Sequence, residues 1–171
     1  MPTGGCAELG GVLNSASKNQ TLELYGRCYG YLGLLPFLIG LLGPLLLPLY
    51  GGVFHHGFII YSYLIFAFLS GTLWFAAIFH SGEASTQSEN RQALGLGMAV
   101  LFSLLPFASF FIGLVNVPAS VGLMALGYPG IWIWEGISGI RANYPLWYRS
   151  LRLQLTFVVT TCHLLFFFLR S

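Results

Sequence analysis

The stretch "YGYLGLLPFLIGLLGPLLLPL", residues 29–49, runs for 21 residues without a charged side chain. At 1.5 Å of rise per residue it reaches about 30 Å, the thickness of a bilayer's hydrocarbon core. In lipid such a segment must satisfy its own backbone, which a helix does by internal hydrogen bonding. Residues 57–79 and 93–115 meet the same criterion. The remainder divides into spans at 119–139 and 151–169, with the polar stretch Arg141–Arg149 between them. The chain therefore reads as an all-α integral membrane bundle of five transmembrane helices, residues 27–171, behind a polar tail of residues 1–26.

Composition supports the same class. Hydrophobic residues make up 56% of the 171 and charged residues 7%, against roughly 25% charged in a soluble domain. Such a chain cannot cover itself with water. The tail "MPTGGCAELGGVLNSASKNQ" lacks the apolar run of a signal peptide and the arginines of a transit peptide, so it is expected to be retained.

Basic residues near span ends indicate orientation. Five crossings place Lys18, Arg27, Arg91, Arg141, Arg149 and Arg152 on one side and only Arg170 on the other. The N-terminus is therefore expected on the cytoplasmic or matrix side. Tyr25, Trp74, Trp134, Trp147 and Tyr148 would gather near that surface, and Tyr50, Phe54 and Tyr61 near the opposite one, as interfacial aromatics do.

No internal repeat is visible. Small residues at four-residue spacing are, at Gly26 and Gly30, Ala67 and Gly71, and Ser109 and Gly113. Such pairs let helices approach closely, either within the bundle or against a foreign helix. Cys6, Cys28 and Cys162 show no metal-ligand or redox spacing and read as small apolar fillers.

The fourth span contains "LGYPGIWIWEGI", residues 126–137. Pro129 removes the hydrogen bond to the Ala125 carbonyl near the bilayer midplane, and Gly127 and Gly130 loosen the helix further. A freed carbonyl in hydrocarbon costs several kcal/mol unless protein or water meets it, so the kink is expected to face protein. Glu135 lies about 9 Å beyond Pro129, near the basic-side boundary, within reach of Arg141, Arg149 or Arg152. A structural kink with an interfacial ion pair is the main reading, and a transport site the alternative.

His55 and His56 fall in the first loop, His80 near the opposite surface, and His163 in the last span. Haem would need facing ligands at equal depth, which these do not offer, so hydrogen-bonded histidines are expected and no cofactor or metal. No catalytic triad, paired-carboxylate, phosphate-loop or zinc pattern is present, and no enzyme activity is expected. Nor is a nucleic-acid partner.

In "NYPLWYRSLRLQLT", residues 143–156, aromatics suited to headgroups accompany Arg149 and Arg152, three apart on one helix face. With Trp147, Tyr148, Arg141 and Glu135 they form the candidate site for an anionic lipid, cardiolipin among them, or for a partner's acidic side chain.

Together "YGYLGLLPFLIGL", "YSYLIFAFLSGTLWF" and "YPLWYRSLRLQLT" resemble a family of small integral membrane proteins of unknown function. That family occurs in proteobacteria and mitochondria and includes the animal transmembrane protein 69. The resemblance covers roughly Arg27–Leu169 and implies a five-helix bundle in an energy-transducing membrane, the mitochondrial inner or bacterial cytoplasmic one. It implies no activity and no catalytic residue. The chain departs from the family's basic residue before the second-span tryptophan, having Thr72 and Leu73 there, while Glu135 stands for the family's acidic residue late in the fourth span. The expected function is a non-catalytic accessory, structural or assembly subunit of a respiratory-chain or ATP-synthase type complex, associated with its other membrane subunits. A small transporter or channel working through the Pro129 kink is the alternative.

Overall fold

The computed structural model describes residues 20–79 and 86–170. Cys6, Lys18 and His80 lie outside the described residues, as do the side chains of Arg91 and Arg170. Five segments are long and apolar enough to cross a membrane, and no strand occurs among the described residues. The first crossing, Gln20–Leu46, consists of α1 (20–32) and α2 (Leu35–Leu46). The others are α3 (Gly51–Phe79, preceded by a 3-10 turn at Pro48–Tyr50), α4 (Thr86–Val115), α5 (Val117–Ile137) and α6 (Leu146–Arg170).

Each helix outruns or shifts from the span expected from hydropathy. Residues 20–26, assigned from sequence to the tail, are already helical. Glu23 and Arg27, one turn apart, pair there at 2.8 Å. His55 and His56 stand within α3 rather than in a loop, because only Leu47 separates α2 from the turn that leads into it. His56 Nδ1 donates to the Gly52 carbonyl at 2.7 Å. Likewise Trp147, Tyr148 and Arg149 belong to the first turn of α6, which starts immediately after Pro145. Hydropathy marks what lies in hydrocarbon, and helices continue past it into the headgroup layer.

Local chemistry explains the breaks. Between α1 and α2 the chain turns at Gly33 and Leu34, and Pro36 stands in the first turn of α2, where a missing N–H is tolerated. There the Gly33 carbonyl accepts a hydrogen bond from Tyr61 Oη of α3 at 2.9 Å. Only Asn116 separates α4 from α5. Its side chain accepts the Ala119 N–H at 3.0 Å, and Pro118 follows in the first turn, a helix-start signal written in three residues. Gly139, with φ of 79°, ends α5 in the left-handed conformation that favours glycine.

The helices pack as an up-and-down bundle, α3 against α2 and α4, α5 against α4 and α6, and α6 back against α2. Lipid supplies no hydrophobic drive between helices, so close contact and interhelical hydrogen bonds must hold them. Glycines permit the contact: a Cβ at Gly40 would stand 2.7 Å from Phe58 Cβ, and one at Gly43 2.5 Å from Phe54 Cδ1. Ser109 of α4 donates to the Ser120 carbonyl of α5 at 3.0 Å, and Tyr63 of α3 meets the Ser120 hydroxyl at 2.7 Å. Phe37, Phe58, Phe66, Met124, Ile131 and Phe166 fill the interior.

Candidate functional site

Besides the Tyr63, Ser109 and Ser120 contact, two further polar groupings stand inside the bundle. The first lies where α5 ends and α6 begins. Glu135 is fully buried, and Arg152, itself only 6% exposed, reaches it from α6. Arg152 Nη2 donates to Glu135 Oε1, and its Nε lies 3.4 Å from Oε2. Of the three arginines within reach of Glu135, Arg152 therefore takes it, because α5 and α6 are packed neighbours and both residues face inward.

Arg141 and Arg149 have other partners. Arg141 turns back over α5, donating through Nη2 to the Trp132 carbonyl with its guanidinium carbon 3.5 Å above the Trp132 ring. This gives the Trp132 carbonyl a second donor and places a cation near the negative end of α5. Gly136 makes room, since a Cβ there would stand 2.7 Å from Arg141 Nη2. Arg149 donates through Nε to the Tyr144 carbonyl at 3.0 Å and through Nη2 to the Ala142 carbonyl. It fastens the 3-10 turn Ile140–Asn143 to α6.

The six residues singled out from sequence at this end thus do not form one shared surface. Glu135 and Arg152 are sealed inside; Arg141, Arg149, Trp147 and Tyr148 are half-buried around the turn. Trp147 lies against Gly26 of α1, where a Cβ would stand 2.8 Å from Cη2. Tyr148 meets Tyr144 edge-on at 5.0 Å. Burial, reinforced by the Glu135 carboxylate and opposed by Arg152, pushes the Tyr144 hydroxyl up to about 12.

The second grouping was not anticipated. Ser62 of α3, Tyr128 of α5 and His163 of α6 are all buried and joined by hydrogen bonds. His163 Nδ1 lies 2.8 Å from the Val159 carbonyl, which only accepts, so this nitrogen carries the proton. In the neutral ring Nε2 then accepts from Ser62 Oγ at 2.7 Å. Tyr128 Oη donates to the Ser62 carbonyl at 2.9 Å. The three polar residues had one detectable signal in the sequence, namely that each interrupts the interior of an apolar span.

The glycines and proline of the fourth span serve this contact. Helix α5 continues through Pro129 without interruption, with Gly127 and Tyr128 buried and Pro129 and Gly130 half-buried. A Cβ at Gly127 would stand 2.6 Å from Leu105 Cδ2 and 2.7 Å from Phe66 Cε2. The segment read as a kink facing protein is also a close-packing site, beside which Tyr128 reaches Ser62.

Chemically, Ser62 and His163 have the contact of a nucleophile and its base. The space beside them has no room for a water molecule, and the group orienting His163 is a backbone carbonyl. Their arrangement ties three helices together. Among the described residues no three His, Cys, Asp or Glu side chains converge as metal ligands.

Five apolar crossings, a buried ion pair at one end and a neutral polar cluster inside define a polytopic α-helical membrane protein. The chain belongs to the DUF3429 family of proteins of unknown function, which it matches over residues 25–168. No curated protein and no solved structure gives a significant match.

Proposed function

We propose that the chain is a non-catalytic accessory, structural or assembly subunit of a larger complex in an energy-transducing membrane, of the respiratory-chain or ATP-synthase kind. The observation that carries this reading is the fate of the three small-residue pairs. Gly26 and Gly30 lie against Trp147 and Leu151 of α6, and Ser109 and Gly113 against Ser120 of α5. Ala67 and Gly71 instead face outward on α3, with nothing within 4 Å of a Cβ placed at Gly71. An open close-approach surface in lipid suits a helix of another subunit.

The competing reading, a small transporter or channel at Pro129, has less support. Glu135, Arg152 and His163 each have partners within the same chain, which leaves little polar chemistry for handling a solute. Proteoliposome flux that vanishes in Glu135→Gln while the variant unfolds at the wild-type temperature would promote it.

The likeness to proteins of proteobacteria and mitochondria, transmembrane protein 69 among them, supports a bacterial cytoplasmic or mitochondrial inner membrane. The arginine bias supports an N-terminus on the cytoplasmic or matrix side. There Arg141, Arg149, Trp147 and Tyr148, half-buried around the turn, would suit an anionic lipid such as cardiolipin.

Native electrophoresis of gently solubilised membranes tests the subunit reading. Wild type is expected to migrate well above its own 18.8 kDa with co-purifying membrane proteins, and Gly71→Leu to fall back toward the monomer. Monomeric migration of wild type in several mild detergents would count against it. Orientation is tested with a cysteine at Gly52 in a Cys-free background. Impermeant thiol reagent added from the periplasmic or intermembrane side should label it, and protection there reverses the topology.

A further inference from the structure

A cavity of about 180 Å³ lies between α1, α2, α3, α5 and α6, beside the break at Gly33. Helix α6 lines it with Arg152, Leu155, Thr156 and Val159. These positions follow helical spacing along one face and run about 10 Å from first to last. Its polar end is at Arg152, level with Gly30, whose absent Cβ would meet Leu151 and Leu155. Its inner end lies at Val159, Phe37 and Tyr128, beside the Ser62 and His163 cluster. Tyr29 and Phe68 also line it and are each 68% exposed, so it is reached from the lipid-facing surface.

Arg152 uses Nε and Nη2 on Glu135, and among the described residues its Nη1 has no protein acceptor. The guanidinium therefore retains donor capacity at the cavity's polar end. The Glu135 and Arg152 pair carries no net charge, so an anionic group placed there would be desolvated without a net counter-charge. A carbonyl oxygen accepts the same N–H with no charge to bury. The volume is close to that of an engineered cavity of about 150 Å³ that takes a benzene ring. An empty space of that size leaves its walls without dispersion partners.

We propose that this cavity binds a net-neutral amphipathic lipid, with a carbonyl acceptor on the Arg152 guanidinium and an apolar chain or ring directed inward along α6 toward Val159. The orientation matches that of a lipid in its own leaflet, polar end toward the headgroups. An ester carbonyl of a glycerolipid and a ring carbonyl of a membrane quinone offer the same chemistry. The site differs from the outer arginines Arg141 and Arg149, and occupancy is independent of whether the chain serves as a subunit of a complex.

The test uses the whole chain, purified in mild detergent and washed free of lipid. Dioleoyl phosphatidylcholine and decyl-benzoquinone are titrated separately and bound molecules counted by native mass spectrometry, which also distinguishes the two sources. Wild type is expected to take up a single molecule of one probe. Thr156→Phe, which fills the cavity, should weaken binding by about tenfold or more, and decylbenzene, which lacks the acceptor, should bind about tenfold more weakly than the quinone if the quinone is the ligand. Should Thr156→Phe fail to fold, Thr156→Cys in a Cys-free background replaces it, and the bound probe should slow its reaction with a lipid-soluble maleimide. Failure of both probes to bind wild type, equal binding by Thr156→Phe, or an unprotected cysteine at position 156 would overturn the proposal.

Discussion

Two of the polar groupings inside this bundle, the Glu135 and Arg152 pair and the Ser62, Tyr128 and His163 cluster, solve the same problem differently. At the α5 and α6 junction a carboxylate and a guanidinium face each other with almost no exposure, while Arg149 holds the surrounding turn by its carbonyls and Arg141, from that turn, bonds the Trp132 carbonyl of α5. Deeper, a serine, a tyrosine and a histidine join three helices by hydrogen bonds, with no ion pair among them. Charge appears where headgroups and loop carbonyls are near, and hydrogen-bonding neutrality where only hydrocarbon surrounds the bundle. The energetic reason is that each unpaired polar group in lipid costs several kcal/mol, and an unpaired charge costs more. Breaking one partner should therefore separate the two regions more clearly than any measurement on the intact protein.

The largest effect is expected at the ion pair. Arg152→Ala leaves Glu135 buried without a partner and should destabilise the protein by about 3–5 kcal/mol. Glu135→Leu combined with Arg152→Met removes both charges at similar volume and should recover most of that loss. Thermal unfolding in one detergent, followed by circular dichroism, ranks the single and double variants. A double variant as unstable as Arg152→Ala would show that the side chains' shapes, rather than the stranded charge, set the stability of this end.

The neutral cluster should respond less. Ser62→Ala removes the hydroxyl that His163 Nε2 accepts from, while Tyr128 keeps its bond to the Ser62 carbonyl. One stranded acceptor with a remaining backbone bond predicts a loss of about 1–2 kcal/mol, near the upper end for interhelical hydrogen bonds in membranes. The same unfolding measurement applies. A loss equal to that of Arg152→Ala would erase the distinction between charged and neutral sites.

These regions also differ in how far the sequence disclosed them. The spans were legible because runs such as residues 29–49 leave lipid as the only stable surroundings, and the family match over residues 25–168 covers the same bundle. Helix ends were less so, since the helices run past the apolar runs, into residues 20–26 and around His55 and Trp147. The depth of Glu135 could be counted from Pro129, which put three arginines within reach, but choosing Arg152 needed the rotation of α6 against α5. The Ser62, Tyr128 and His163 cluster needed more still. Its members come from three spans, and no local spacing relates residues 62, 128 and 163. That each interrupts an apolar span was the one clue, and pairing them further requires helix registers that hydropathy does not supply. At Pro129 the proline and its glycines read as a kink expected to face protein, and the sequence did not say against what: helix α5 runs through Pro129, and buried Gly127 admits Leu105 and Phe66.

The smallest effect, and the sharpest division within the basic end itself, is expected at Arg149. Its bonds go to the carbonyls of Ala142 and Tyr144, groups near enough to the surface for water or headgroups to replace them. Arg149→Gln should therefore lower stability by only about 0.5–1 kcal/mol. Its charge has a second use. An arginine at an anionic surface contributes about 1 kcal/mol of attraction, so the same substitution should reduce retained anionic lipid by about fivefold, read by mass spectrometry of the purified protein. Arg152 is enclosed with Glu135, and Arg152→Lys, which keeps their charges opposed, should leave anionic lipid retention unchanged. That pattern would place the lipid-facing charge at Arg149 and the structural charge at Arg152, although the two stand three residues apart on one helix. If Arg149→Gln retained anionic lipid as wild type does, Arg149 would be confined to fastening the turn, and the headgroup contact would have to be sought at Arg141.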